Sequence, residues 1–373
     1  MNRSLLASYV ILLVLLTFFS YAFVDPNLFY LKPISNDFYK QQRLLTTLCY
    51  LSITLIFFLF YIFFIKNIKK INLRAVILLS SFILFFSYPS MFSYDIFNYI
   101  QTSRVIFKFH ENPYIVMPLE ISNDPNLIFT RATNKTALYG PSWIAISTIP
   151  YLLGFGNFIL TLFNFKFLSL FSYLGAGFLI YKITRSSLST ALFSLNPLVL
   201  IESLVSSHND VFMIFFALLS FYLLRKRRII KSIISLVFSI LVKFATIFLL
   251  PIFLFTLYKT IRGQKINWEH VYLISSVSMI FIFLLSPLRE EIYPWYAVWF
   301  IAFSSLIPNI KWLFYLSIAS SLGLSLSYIP YMFFGTYSSS TLALKTFIVI
   351  IPILIAFLFI LKHRLWTKNF FGR

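Results

Sequence analysis

Along most of the chain, apolar positions come in runs that are long enough to cross a bilayer, separated by short polar connectors. The runs cover 5–24, 44–65, 73–92, 158–181, 188–205, 211–224, 229–242, 245–258, 271–287, 296–308, 312–329 and 341–361. Because roughly twenty apolar residues make a helix that spans the hydrocarbon core, and shorter runs can work in pairs, the pattern predicts about twelve crossings. The expected architecture is an all-α, polytopic membrane protein forming a single domain over 1–373. One long polar island breaks the pattern at 93–141, which reads as a large loop outside the bilayer.

Charge orients the crossings. Basic side chains gather at Lys66, Lys69, Lys70 and Arg74, at Arg225, Lys226, Arg227 and Arg228, at Lys259, Arg262 and Lys265, and at Lys362, Arg364, Lys368 and Arg373. The positive-inside rule places all four groups, and with them both termini, in the cytoplasm of a multi-pass cell-membrane protein. An odd number of crossings must then separate the 93–141 loop from Arg225. The stretch 142–153, only a dozen residues before Gly154 and Gly156, is therefore expected to be a short re-entrant or interfacial helix. By the same counting, 229–258 is a pair of short spans that turns near Lys243. Four features then share the non-cytoplasmic face: the 93–141 loop, the 206–210 turn, Lys243, and the loop over 288–296.

Composition agrees. Of 373 residues, 60% are apolar and 11% charged, far from the balance of an ordinary soluble domain. The positive excess of twenty is spread over the connectors rather than concentrated in a nucleic-acid-binding patch, so no nucleic-acid partner is expected. A single cysteine, Cys49, permits no intramolecular disulfide and no cysteine metal cluster. The 47 phenylalanines read as filling for lipid-facing positions. The start, Met1-Asn2-Arg3 followed by about twenty apolar residues, reads as a retained first helix rather than a signal peptide.

Candidate chemistry lies on the shared outer face. Asp95, in Ser93-Tyr94-Asp95-Ile96-Phe97-Asn98-Tyr99, opens a short amphipathic helix with Ile96, Ile100, Ser103 and Phe107 against Asn98, Gln101, Arg104 and Lys108. A carboxylate there is either a helix-start acid favoured by the macrodipole or a base at the membrane surface. Glu111 precedes the turn Asn112-Pro113-Tyr114 and is either a solvated loop acid or a second acid of the site; Tyr139-Gly140-Pro141 closes the loop. His208 and Asp210, in Ser-His-Asn-Asp before an apolar helix, are helix-capping residues or substrate contacts. Two ligands at i and i+2 make a weak metal signal, and no metal is expected. Lys243 either snorkels to the surface or meets a phosphate. Arg289, followed by Glu290 and Glu291, is either part of an ordinary solvated loop or, held at headgroup depth by Tyr293-Pro294-Trp295-Tyr296, suited to bidentate recognition of a phosphate.

Taken in order, Tyr94-Asp95, Asn112-Pro113-Tyr114, Tyr139-Gly140-Pro141, Asn196-Pro197, His208-Asn209-Asp210, Lys243 and Pro294-Trp295-Tyr296 resemble the multi-spanning glycosyltransferases of the GT-C superfamily. The resemblance is greatest to bacterial polyprenyl-phosphate-mannose-dependent mannosyltransferases. It implies transfer of mannose or another hexose from a polyprenyl-phosphate donor to a glycan, lipid or protein acceptor on the non-cytoplasmic face. The 93–141 loop would be the catalytic loop and Asp95 the general base; the family commonly has a small or polar residue where Glu111 stands. Glu111, Tyr114, Tyr139, His208, Asp210, Lys243, Arg289, Trp295 and Tyr296 are the expected substrate contacts. One base and one displacement predict inversion at the anomeric carbon, and a monophosphate carrier needs no cofactor to neutralise it. A transporter or flippase for a lipid-linked saccharide is the alternative, and a ligase or polymerase using a diphosphate-linked donor is a third reading. Transporters, however, set polar sites at the midplane of repeated halves, and no repeat is visible here.

Overall fold

The computed structural model describes residues 3–24, 38–121, 124–288 and 291–370, and these are helical without a strand. In chain order the helices are α1 (Arg3–Tyr21), α2 (Arg43–Lys66), α3 (Leu73–Phe85), α4 (Asp95–Phe107), α5 (Pro141–Leu152), α6 (Phe158–Thr184), α7 (Ser187–Ser194) and α8 (Pro197–Leu200). They continue with α9 (Asp210–Arg225), α10 (Ile229–Val242), α11 (Leu250–Ile261), α12 (Trp268–Leu285), α13 (Ala297–Ser304), α14 (Lys311–Leu326), α15 (Ile329–Phe334) and α16 (Ser339–Phe370). Helices satisfy their own backbone, which a lipid environment demands.

Seven helical segments among the described residues are long and apolar enough to cross a membrane, and α7 with the bent segment that follows makes an eighth if counted as one span. The other apolar runs are built from shorter or broken pieces, such as α3 and α10. The breaks have local causes. Asn72, Asn157, Ser186, Asn196 and Asn267 each accept a hydrogen bond from the first turn of the helix they precede, starting α3, α6, α7, α8 and α12 afresh. Arg185 ends α6 in the left-handed region at φ 55°. The stretch 142–153 forms the twelve-residue α5, closed off by a turn before the 27-residue α6.

Outward positions carry large apolar side chains, including Phe18, Phe82, Phe167 and Phe178, whereas many inward ones are Ser and Thr. Small polar residues let helices approach closely, and each interhelical hydrogen bond contributes about 0.6 kcal/mol in a bilayer. Tyrosines bolt neighbouring helices together. The Tyr9 and Ser80 hydroxyls, 2.8 Å apart, join α1 to α3; Tyr50 donates to the Ser325 carbonyl at 2.6 Å, and Tyr61 to the Leu192 carbonyl at 2.8 Å.

The bundle has two chemically different ends. At one, Arg225 donates to the Ile183 carbonyl at 2.9 Å and lies over the Trp268 ring, while Asn309 donates to Glu269 at 2.5 Å. At the other end α4, the 206–210 turn, Lys243 and the 294–299 segment converge. Helix α9 connects the two: Asp210 begins it beside Lys243 and Arg225 ends it beside Ile183.

Candidate active site

The 93–141 segment is a folded structure with its own interior. Ser93 accepts a hydrogen bond from the Asp95 amide at 3.1 Å, and α4 begins at Asp95, where the positive end of the helix dipole favours a carboxylate. Gln101 and Arg104, expected on the solvent face of this helix, are buried instead. Gln101 donates to Asp124 at 2.8 Å, and the Arg104 guanidinium grips both oxygens of the same carboxylate. The loop returns through the Tyr114 hydroxyl, which donates to the Tyr139 carbonyl at 2.9 Å. At its end, the Gly140 amide donates to the Val242 carbonyl at 3.1 Å, against the residue preceding Lys243.

That last contact requires glycine for lack of space, since a Cβ at Gly140 would lie 2.1 Å from the Leu241 carbonyl oxygen, a backbone atom. Replacing Gly140 with alanine is expected to push the loop away from α10 at a cost of about 1–3 kcal/mol. Thermal unfolding of the purified variant in detergent or nanodiscs checks this, and an unchanged midpoint would count against the contact.

The second contributor is an irregular turn. Helix α8 runs into a π-helical turn at Ile201–Val205, which widens the coil and turns Glu202 into the interior. Lys166 of α6, fully buried, holds the end of this turn by donating to the Leu204 and Val205 carbonyls at 2.7 and 3.2 Å and to the Ser87 hydroxyl at 3.2 Å. Ser207 then adopts φ 58°, a strained conformation for a residue with a side chain, which costs about 1–3 kcal/mol. The result presents His208 between two carboxylates.

His208 Nδ1 lies 3.2 Å from Asp95 Oδ2, and its Nε2 lies 3.3 Å from Glu202 Oε2. The ring stacks on Trp295 at 4.1 Å between centroids. The other Glu202 oxygen accepts from the Tyr328 hydroxyl at 2.9 Å. His208 and Glu202 are buried, whereas the Asp95 side chain keeps 27% of its surface exposed. Burial alone would lower the His208 value, but the two facing carboxylates outweigh it and raise it to about 9. Burial would likewise raise Asp95, yet His208 and Lys243 hold it below the usual carboxylate range.

Asp210 faces elsewhere. It accepts from Lys243 Nζ at 2.9 and 3.1 Å and from the Trp299 indole at 2.6 Å. Lys243 occupies an extended residue (φ −156°, ψ 125°) between α10 and the 3-10 turn Phe244–Leu249, so the apolar run 229–258 does break at this lysine. Its ammonium also lies 4.3 Å from the Tyr296 ring centre. His208 and Asp210 thus engage different partners, and among the described residues no three His, Cys, Asp or Glu side chains are grouped to hold a metal ion.

Asp95, Tyr139, Lys243, Trp295, Tyr296 and Trp299 all line one cavity of about 940 Å³. Arg131 and Lys135 from the loop also line it, as do the apolar Phe244, Phe248, Ile282 and Leu285. Of the other expected contacts, His208 and Asp210 stand directly behind this lining. Tyr114 acts on the loop through Tyr139, and Glu111 is exposed and does not line the cavity. Arg289 lies outside the described residues. Glu202, Trp299 and Tyr328 were not singled out from the sequence, although a glutamate inside an apolar run is a costly placement that marks function.

The arrangement can accept a proton at Asp95, oppose a negative charge at Lys243 and shelter hydrocarbon along the same cavity. No curated relative and no solved structure matches the chain. A family model described as "Alpha-(1->6)-mannopyranosyltransferase, N-terminal domain" matches residues 10–259, about two thirds of the chain and including both contributors to the His208 cluster. The chain therefore belongs to this MptA_B family, and it is a membrane glycosyltransferase of the mannosyltransferase kind.

Proposed function

We propose that the protein transfers mannose from a polyprenyl-phosphate carrier to a glycan or lipid acceptor on the non-cytoplasmic face, with inversion, and that Asp95 is the general base. One observation carries this reading: an ionised, partly exposed carboxylate and a lysine share a cavity that hydrocarbon side chains also line. A sugar hydroxyl is a weak nucleophile at neutral pH, and a carboxylate within hydrogen-bond reach removes its proton as the new bond forms. Negative charge then grows on the departing phosphate. Lys243 opposes that charge, and Arg131 and Lys135 line the same cavity, in a site already arranged for it. The apolar lining of Phe244, Phe248, Ile282 and Leu285 suits the carrier's isoprenoid chain, which explains why such a donor is met at the membrane. Trp295 and Tyr296 line the same cavity, with their rings stacked on His208 and Trp299. With a single base at the reacting carbon, the product's anomeric configuration is opposite to the donor's.

This reading sets about twelve crossings, the termini and basic connectors in the cytoplasm, and the cavity outside. A reporter fused after Ser207 is then expected to read as outside and one after Gly263 as cytoplasmic; the opposite pair of readings would overturn the assignment of the face. Nuclear magnetic resonance of the product linkage tests the stereochemistry, and retention would overturn the single-displacement route.

A further inference from the structure

We infer that Glu202 is a positioning residue for the reaction: it holds the His208 imidazole against Asp95 and keeps that ring cationic, so that Asp95 is held, correctly turned, by a charged partner. The inference rests on the reading of Asp95 as the base. It also explains a costly placement, a fully buried glutamate inside an apolar segment.

The geometry restricts the protonation state. Both ring nitrogens of His208 face carboxylate oxygens, Asp95 Oδ2 at 3.2 Å and Glu202 Oε2 at 3.3 Å. Neither contact is aligned as a hydrogen bond, so the pairing is one of charge: with a carboxylate against each nitrogen, a positive ring is stabilised from both sides, whereas a neutral ring gains nothing from either. The remaining Glu202 oxygen already accepts from Tyr328, leaving Oε2 for His208. Trp295, stacked on the ring at 4.1 Å, adds a face suited to a cation.

Other charged or titratable groups around His208 do not replace Glu202. From α4, Tyr99 accepts from the Asn209 amide and Asp95 takes Nδ1. Asp210 is committed to Lys243 and Trp299, and Lys243 is itself a cation that opposes a second positive charge. Lys166 is turned to the Leu204 and Val205 carbonyls. Among the described residues, Glu202 is the anion at Nε2. Without it, burial acts on the ring unopposed from that side.

The test uses the full chain in nanodiscs with His110, His270 and His363 replaced by glutamine, so that the imidazole nitrogen resonances report His208 alone. His208 is expected to stay cationic to about pH 9. In Glu202→Gln it is expected to lose its proton at least one pH unit lower, and the alkaline limb of kcat/KM for mannosyl transfer to move down by the same interval. Glu202→Asp keeps the charge but draws it back from Nε2, so a smaller downward shift is expected. This variant carries the test should Glu202→Gln fail to fold. Equal midpoints in the parent and either folded variant would overturn the inference, even if the rate falls, because a purely structural role lowers rate without moving the titration. If the parent transfers no mannose, the reading of Asp95 fails, while the resonance titration still decides the pairing of Glu202 with His208.

Discussion

Replacing Asp95 with asparagine is expected to reduce mannosyl transfer by about 10²–10⁴-fold while leaving the amount of protein in the membrane unchanged. Asparagine keeps the size of the side chain and its place at the start of α4, where Ser93 accepts from the residue 95 amide. What it removes is the negative charge and basicity that the proposed role of base requires. The His208 cation loses one of its two anions but retains Glu202, so the buried cluster keeps a charge partner. Quantified transfer by equal amounts of parent and variant in washed membranes checks this, and parent-like transfer by Asp95→Asn would remove Asp95 from the role of base.

The second large effect concerns Lys243. Asp210 is almost fully buried, and its charge is met by Lys243 with support from the Trp299 indole. Removing one member of a buried pair leaves the other uncompensated and costs about 3–5 kcal/mol, so both Lys243→Met and Asp210→Asn are expected to be markedly less stable. Combining them removes both charges, and most of the stability is expected to return. Transfer is expected to stay low in the double variant, because the proposed role of Lys243 needs an ammonium facing the leaving phosphate. Unfolding midpoints and transfer rates for the four proteins separate these effects. Recovery of both stability and transfer in the double variant would confine Lys243 to a structural role.

Much of this organisation is written in the hydrophobic pattern. Runs near twenty apolar residues became α1, α2, α6, α12, α14 and α16, and the dozen residues after Pro141 became a short helix because Gly154 and Gly156 follow them. Lys243 stood out because an ammonium inside an apolar run needs a partner. Asp95, Tyr139, Lys243, Trp295 and Tyr296 line one cavity, although two hundred residues separate the first from the last.

Other features depended on contacts between distant parts of the chain, which a local pattern does not record. Gln101 and Arg104 fit the polar side of an amphipathic helix, and nothing nearby announces that Asp124 folds over them. Glu202 and Lys166 sat within runs read as lipid-spanning, and averaging hydropathy over a run hides one charge. A charge there is expensive enough to have marked both positions. The π-helical turn at Ile201–Val205, which turns Glu202 toward His208, has no sequence signature beyond the preceding Asn196-Pro197 start. Tyr114 and Glu111 share one turn, yet Tyr114 ties the loop closed through Tyr139 and Glu111 is left in solvent.

The central claim, that this cavity moves mannose from a lipid phosphate, is tested most directly by supplying the purified chain in nanodiscs with radiolabelled donors and following label into the acceptor fraction. The panel contains polyprenyl-phosphate mannose, other polyprenyl-phosphate hexoses and a nucleotide-linked mannose. Label is expected to pass from polyprenyl-phosphate mannose and not from the nucleotide donor; transfer from the nucleotide donor with none from any polyprenyl phosphate would contradict the account.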